Sequence, residues 1–372
     1  MARPKPQHRA RLSGLVLLCG VLLGGCDSAQ WNNPYPAWQQ GENILYSSFS
    51  SRPKHLDPVR AYSSNEYSFI GQIYEPPLQY HYLKRPFQLV PLTAAQMPKL
   101  TYLDAAGSQL PADAPVDTVA YSVYEIQIRP GIRYQPHPAF ARDPQGALHY
   151  QQLSEEDLAN VRGLADFTHT GSRELVAADY VYQIKRLAHP RLHSPIQGLM
   201  SEYIVGLDAY ATTLAEAYAK QIEQDPSQRW LDLRKFDLQG VEVVDEYTYR
   251  ITIHGKYPQL RYWLAMPFFA PMPWEAERFY AQPGMQDRNI SLDWYPVGTG
   301  AYMLTANNPN RQMVLERNPN FHPQYYPSQG DPGDAERGLL EDAGKPLPFI
   351  DKVIYSLEKE GIPYWNKFLQ GY

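Results

Sequence analysis

Proline occurs 34 times in 372 residues, and no other feature of the chain restricts its fold as much. Each proline removes a backbone donor and breaks a helix interior, so the chain reads as loops and extended segments rather than a helical bundle. The 29 tyrosines suit half-wet surfaces, where the ring packs and the hydroxyl finds a partner. An apolar share of 44% is ordinary for a globular protein and permits a sizeable core. The length corresponds to about two domains, or two lobes of one larger fold. Acidic residues outnumber basic ones, 39 to 34, and no basic block recurs after the first dozen residues, which argues against a nucleic-acid partner.

Residues 1–25 read as a signal peptide. Arg3, Lys5, Arg9 and Arg11 form a positive start, and Leu12 to Leu23 form an apolar run too short to span a bilayer comfortably. The run ends in Leu23-Gly24-Gly25-Cys26. That order looks like a bacterial lipobox, in which Cys26 is lipidated and becomes the new N-terminus. A plain signal peptide with an incidental cysteine, or an uncleaved anchor, are the alternatives. Cys19 lies inside the apolar run, so the processed chain would keep no thiol for a disulfide, a nucleophile or a Cys-ligated zinc. Asp27 resembles the signal that keeps many Gram-negative lipoproteins on the inner membrane. Cleavage removes four of the 34 basic residues and none of the 39 acidic ones. Acyl chains, not a basic patch, would then hold the protein to the membrane. The expected location is the periplasm, anchored to the inner membrane through Cys26, with residues 26–41 as a tether.

The rest predicts a mixed α/β body. Strands are expected at Asn43 to Phe49, Ala120 to Arg129, Gln312 to Glu316 and Lys352 to Leu357, and a hairpin at Val241 to Val244 with Tyr247 to Ile253. Helices are expected at Glu66 to Ile73, Ala177 to Leu187 and Leu207 to Gln224. Asp104 to Asp117 reads as a loop, and Ser328 to Gly344 as a surface insertion. No internal repeat is visible.

Several of these pieces, in this order, resemble the family-5 extracellular solute-binding proteins, the peptide- and nickel-type receptors of bacterial ABC importers. Leu56-Asp57-Pro58, followed by Ile73-Tyr74-Glu75 ahead of Leu78, is similar to that family's opening. Tyr124 to Tyr134 is similar to its Arg-x-Gly strand and turn. Val176 to Tyr182 resembles its Ala-Glu-Asp-Val-Val-Tyr helix start. Pro296-Val297-Gly298-Thr299-Gly300-Ala301-Tyr302, Glu316 to Phe321 and Pro348 to Val353 complete the series. The pieces span residues 44–372. There are departures: Glu75 is followed by proline rather than glycine, and residues 91–119, 137–172 and 207–236 are longer than the pattern.

The resemblance implies a type II periplasmic-binding-protein-like α/β fold, a mixed-sheet lobe with an inserted α+β subdomain. The implied division is a discontinuous first lobe at 42–75 and 237–350, an inserted subdomain at 76–236, and a hinge strand with the start of a second lobe at 351–372. Most of that second lobe is absent from this sequence, so an N-terminal fragment is expected. A peptide or similar small solute is the implied ligand, and an inner-membrane ABC permease the implied partner, with the receptor a monomer. A truncated lipoprotein without solute binding, acting in interaction or structure, is the alternative.

Four residues are the implied ligand contacts by their place in the motifs: Ser63 and Ser64 after the Asp57-Pro58 turn, Ile196 after Ser194-Pro195, and Thr299 in the glycine turn. Asp57, Glu75 and Asp179 read first as turn and helix-start residues. Nothing points to catalysis: there is no Gly-x-Ser-x-Gly, no His-Glu-x-x-His and no thiol in the processed chain. No cofactor is expected. His189 and His193 are four apart, but Pro190 argues against a regular helix, and solvated loop histidines are expected rather than a metal site. The aromatic cluster Tyr262-Trp263, Phe268-Phe269 and Trp274 is expected to be core.

Overall fold

A computed structural model describes residues 35–36, 41–154 and 156–372. The signal segment 1–25, Cys26 and most of the tether lie outside the described residues. In chain order the elements begin with β1 (Ile44–Phe49), α1 (Ser64–Ile70), β2 (Leu78–Tyr80), β3 (Leu89–Pro91), β4 (Lys99–Leu103), β5 (Gln109–Leu110) and β6 (Tyr121–Gln127). There follow α2 (Ala177–Arg186), α3 (Gln197–Tyr203), α4 (Leu207–Gln224), β7 (Val241–Asp245), β8 (Thr248–His254), α5 (Leu260–Trp263) and α6 (Trp274–Tyr280). The chain closes with β9 (Tyr302–Asn308), β10 (Gln312–Arg317), β11 (Lys352–Leu357) and α7 (Gly361–Leu369).

Two sheets carry the body. The first has the order β1-β11-β10-β9. β1 pairs in parallel with β11, Ile44 opposite Lys352, while β10 is antiparallel to both of its neighbours. The second is antiparallel, with the order β5-β4-β6-β8-β7. Alternation explains its central pair. Ser122, Tyr124 and Ile126 on β6, and Tyr249, Ile251 and Ile253 on β8, all point to the buried face. The opposite phase is only half-buried, so β6 is fully covered on one side alone. α2 packs on that sheet. Its Tyr180 ring stacks on Tyr249 at 5.2 Å, and the Tyr180 hydroxyl shares a hydrogen bond with Thr93. A fully buried apolar side chain of this size contributes about 1.5–3 kcal/mol.

The hairpin β7–β8 hydrogen-bonds to β6. Residues 241–254 therefore share a sheet with residues 99–127, beyond the boundary at 236 drawn from the motifs. β11 is an inner strand of the first sheet. Compact packing divides the chain at this point: Asn43–Leu357 is one unit, and Glu358–Tyr372 belongs to a smaller one. Within the latter, α7 exposes Ile362, Trp365, Phe368 and Leu369, and Lys367 pairs with Glu358.

The stretch at 104–117 is not wholly loop. It contains β5 and a single 3₁₀ turn at Val116–Thr118. The segment 328–344 is turns throughout, as expected. Phe268 and Phe269 are buried, whereas Tyr262 is exposed and Trp263 and Trp274 half-buried, so the aromatic cluster is core at its centre only.

The glycine turn has a steric cause. A Cβ on Gly298 would lie 1.9 Å from the Ile73 carbonyl oxygen, and one on Gly300 2.5 Å from that of Gln72. Neither residue has a positive φ, so close approach rather than a left-handed backbone demands glycine here. The turn is tied to that same chain by Gly300 N–H donating to Ile73 O at 2.8 Å. Gly298→Ala is expected to cost about 1–3 kcal/mol or more through overpacking. A urea midpoint that does not move in this variant would show that the two segments can separate cheaply.

Candidate functional site

The Leu-Asp-Pro turn is held from below by a buried charge. Arg186, at the last position of α2, is fully buried. Its guanidinium donates to both Asp57 oxygens, at 3.0 and 2.6 Å, and to Glu277 Oε1 at 2.9 Å. The adjacent carboxylates hold Arg186 above even its ordinary high pKa against the opposing cost of burial. Gln183 accepts a further Nη1 bond. Asp57 Oδ1 also accepts Val59 N–H, so α2 and the turn share one fork-shaped clamp. Beside it, Asp293 pairs with Arg60 at 2.6 Å. A second such clamp joins Arg173 to Asp179 and Glu275. Asp179, expected to be a helix-start residue, is therefore also half of an ion pair.

Glu66 holds the next residues. Its buried carboxylate accepts four backbone N–H groups: Lys54 and His55 at Oε1, Tyr62 and Ser63 at Oε2, all at 2.9–3.0 Å. These bonds lower its pKa against the opposing effect of burial. Glu66 stands three residues after Ser63, the helix N-cap, in a capping-box arrangement. The consequence is a one-sided shelf. The Tyr62 and Ser63 donors are consumed inward. The Ala61 and Tyr62 carbonyls accept no bond among the described residues. Tyr62, Ser63 and Ser64 are exposed, with the Tyr62 ring 6.2 Å from Phe268. What the shelf exposes is the Tyr62 ring and the Ser63 and Ser64 residues.

The other two expected contacts are not on this surface. Thr299 is fully buried, and its hydroxyl donates to Glu75 Oε2 at 2.8 Å. Glu75 is buried as well and also meets His322 Nε2 at 2.9 Å and Gln324 Nε2 at 3.2 Å. Ile196 is buried in the core ahead of α3. His189 corrects the expectation of solvated loop histidines: it is buried, and burial pushes its pKa down to about 4. Its Nδ1 accepts the Arg191 N–H. His193 is exposed, with φ 49°. Among the described residues no three His, Cys, Asp or Glu side chains gather as a metal site. The Arg186 clamp was not visible in advance, because its carboxylate partners lie 91 and 129 residues away.

A mixed-sheet unit with an antiparallel sheet set into its chain path is the lobe architecture of type II periplasmic binding proteins. The description "Bacterial extracellular solute-binding proteins, family 5 Middle" matches residues 169–360, and the chain belongs to that family. It is a family of binding proteins rather than enzymes. Over 147 residues the chain is 29% identical to the periplasmic oligopeptide-binding protein OppA of Salmonella typhimurium, which is 40% of this chain and 23% of that protein. Two solved structures share the fold. One is the Helicobacter pylori periplasmic binding protein DppA in complex with the peptide STSA, with TM-score 0.52, 16% identity, and coverage of 89% of this chain and 45% of that one. The other is the Escherichia coli murein tripeptide binding protein MppA, with TM-score 0.52, 16% identity, and coverage of 89% and 45%. The chain thus spans less than half the length of these relatives. Among the described residues no helix is long and apolar enough to cross a membrane.

Proposed function

We propose that this chain is part of a solute-binding receptor of an ABC importer, with an oligopeptide or peptide-like solute as its cargo. The observation that carries this reading is the family match over residues 169–360. The names of its relatives, oligopeptide- and murein-tripeptide-binding, narrow the solute class. The receptor works in the periplasm as a monomer, held to the inner membrane by a lipid on Cys26, and passes its solute to a permease.

The Tyr62–Ser64 shelf supports a peptide rather than a sugar or a metal chelate. A peptide main chain carries a row of N–H donors, and at the shelf the Tyr62 and Ser63 N–H groups are taken by Glu66 while the Ala61 and Tyr62 carbonyls accept no bond among the described residues. Main-chain bonding of that kind gives affinity without dictating side chains. The test is a calorimetric titration of the full chain with trialanine and with trisarcosine, whose backbone amides are methylated. Trialanine is expected to bind and trisarcosine to bind at least tenfold more weakly. No heat and no thermal shift with either peptide would sink the reading.

A further inference from the structure

Four arginines line a polar cleft of about 110 Å³ beside the Asp57 turn. At roughly 30 Å³ for a water, it has room for a small oxyanion. Three carboxylates also line it: Asp57, Glu277 and Asp293. All three are committed. Arg186 takes Asp57 and Glu277, and Arg60 takes Asp293. Arg191 and Arg229 are left with no carboxylate partner among the described residues. They meet instead at a neutral oxygen: Gln286 Oε1 accepts from Arg229 Nη1 at 2.5 Å and from Arg191 Nη2 at 3.5 Å. Arg191 Nη1 further donates to the backbone carbonyl of Arg229 at 3.3 Å, and the shared Gln286 oxygen brings the two guanidiniums together. In a chain with more acids than bases, two cations left together at the mouth of a cleft are an electrostatic imbalance.

We infer that Arg191 and Arg229 form a binding site for a small oxyanion, a carboxylate or a phosphate, with Gln286 as its internal stand-in. Each guanidinium presents five donors in a fixed fork, and only three of the ten are bonded here. The amide oxygen of Gln286 marks where an anionic oxygen sits. Gln286 is exposed, in a single 3₁₀ turn at Gln286–Arg288, so its side chain can swing into solvent and yield the place. An anion there replaces neutral hydrogen bonds with charge-assisted ones, which are about twice as strong. This site does not depend on the peptide reading.

The test titrates the full chain with sodium phosphate, and separately with sodium acetate, at constant ionic strength made up with chloride. The readouts are tryptophan fluorescence, since Trp230 lines the cleft, and thermal shift. A saturable response is expected. Arg191→Gln and Arg229→Gln should each weaken it at least tenfold. Gln286→Glu should abolish it and raise the midpoint of unfolding, because the variant supplies its own carboxylate to both arginines. A response to acetate alone identifies a carboxylate site, and one to phosphate alone a phosphate site. If the wild type shows no saturable response, or if Gln286→Glu and the arginine variants respond as the wild type does, the site does not exist.

Discussion

Arg186→Met is expected to lose about 3–5 kcal/mol of stability, because it strands two carboxylates in the protein with their shared cation gone. Asp57 approaches Arg186 from a turn 129 residues earlier in the chain and Glu277 from α6, 91 residues later. No water-exposed route compensates them: Arg186 is fully buried and Asp57 nearly so. The loss is not a measure of the ion pair's worth, which the desolvation of three charges largely offsets. It measures the cost of an incomplete network. Adding Asp57→Asn and Glu277→Gln to the Arg186→Met variant should therefore recover a large part of the loss, although each alone destabilises the wild type. Urea unfolding of the wild type, Arg186→Met, the Asp57→Asn/Glu277→Gln double variant and the triple variant closes the cycle. A loss of under about 1 kcal/mol in Arg186→Met would mean that the turn relaxes and hydrates, and would remove the clamp as the support of the Tyr62–Ser64 shelf.

Local signals carried much of the fold. The bounds of α4 and β11 coincide with the expected segments: α4 is rich in good helix formers, and β11 is a short run with Val353, Ile354 and Tyr355, residues that favour strands. The hairpin at 241–254 was legible from Asp245-Glu246 between two β-branched runs. α6 was not among the expected helices, because prolines at 271 and 273 stand just ahead of it and interrupt any helical pattern. In fact Pro273 is the N-cap, and Glu275 and Glu277 fill the first turn, a start signal rather than a stop. β4 and β9 lack a clean period and exist because β6 and β10 offer them partners. The chemistry around the expected contacts was not legible. The motif order pointed to residues 63 and 64, and their exposure is consistent with contact. It also pointed to Thr299, whose hydroxyl is spent on Glu75. A spacing of 224 residues carries no local trace, so sequence patterns name the turn and miss its partner. Glu66 is legible in part: its bond to Ser63 N–H is a capping-box spacing, whereas those to Lys54 and His55 arise from chain reversal and leave no local trace.

Stability is expected to fall by about 4 kcal/mol between pH 7.5 and pH 5, from two buried histidines. Burial pushes His137 down to about 3 and His189 to about 4, against about 6.5 in an unfolded chain. Both geometries require the neutral ring. His137 Nδ1 accepts the Ala139 N–H at 3.0 Å, leaving Nε2–H to donate to the Tyr280 hydroxyl at 2.7 Å. That hydroxyl in turn donates to the Tyr295 carbonyl, so the chain of donors is complete and an extra proton on Nδ1 has no acceptor. The folded pKa values lie below the unfolded one. The stability is therefore fully present above the unfolded pKa, and falls as pH drops because the unfolded chain takes up protons that the folded one refuses. At pH 5 each histidine is 1.5 pH units below 6.5, worth about 2 kcal/mol at 1.36 kcal/mol per unit. Below about pH 4 the His189 share stops growing, while that of His137 grows to about pH 3. Between pH 5 and 6 the slope should approach two protons per molecule. His137→Gln halves it whatever its effect on absolute stability, since the amide does not titrate. Free energies from urea unfolding at half-unit steps test this: an unchanged slope in the variant would mean that His137 gains its proton in the native state, with Tyr280 and Ala139 rearranged around it.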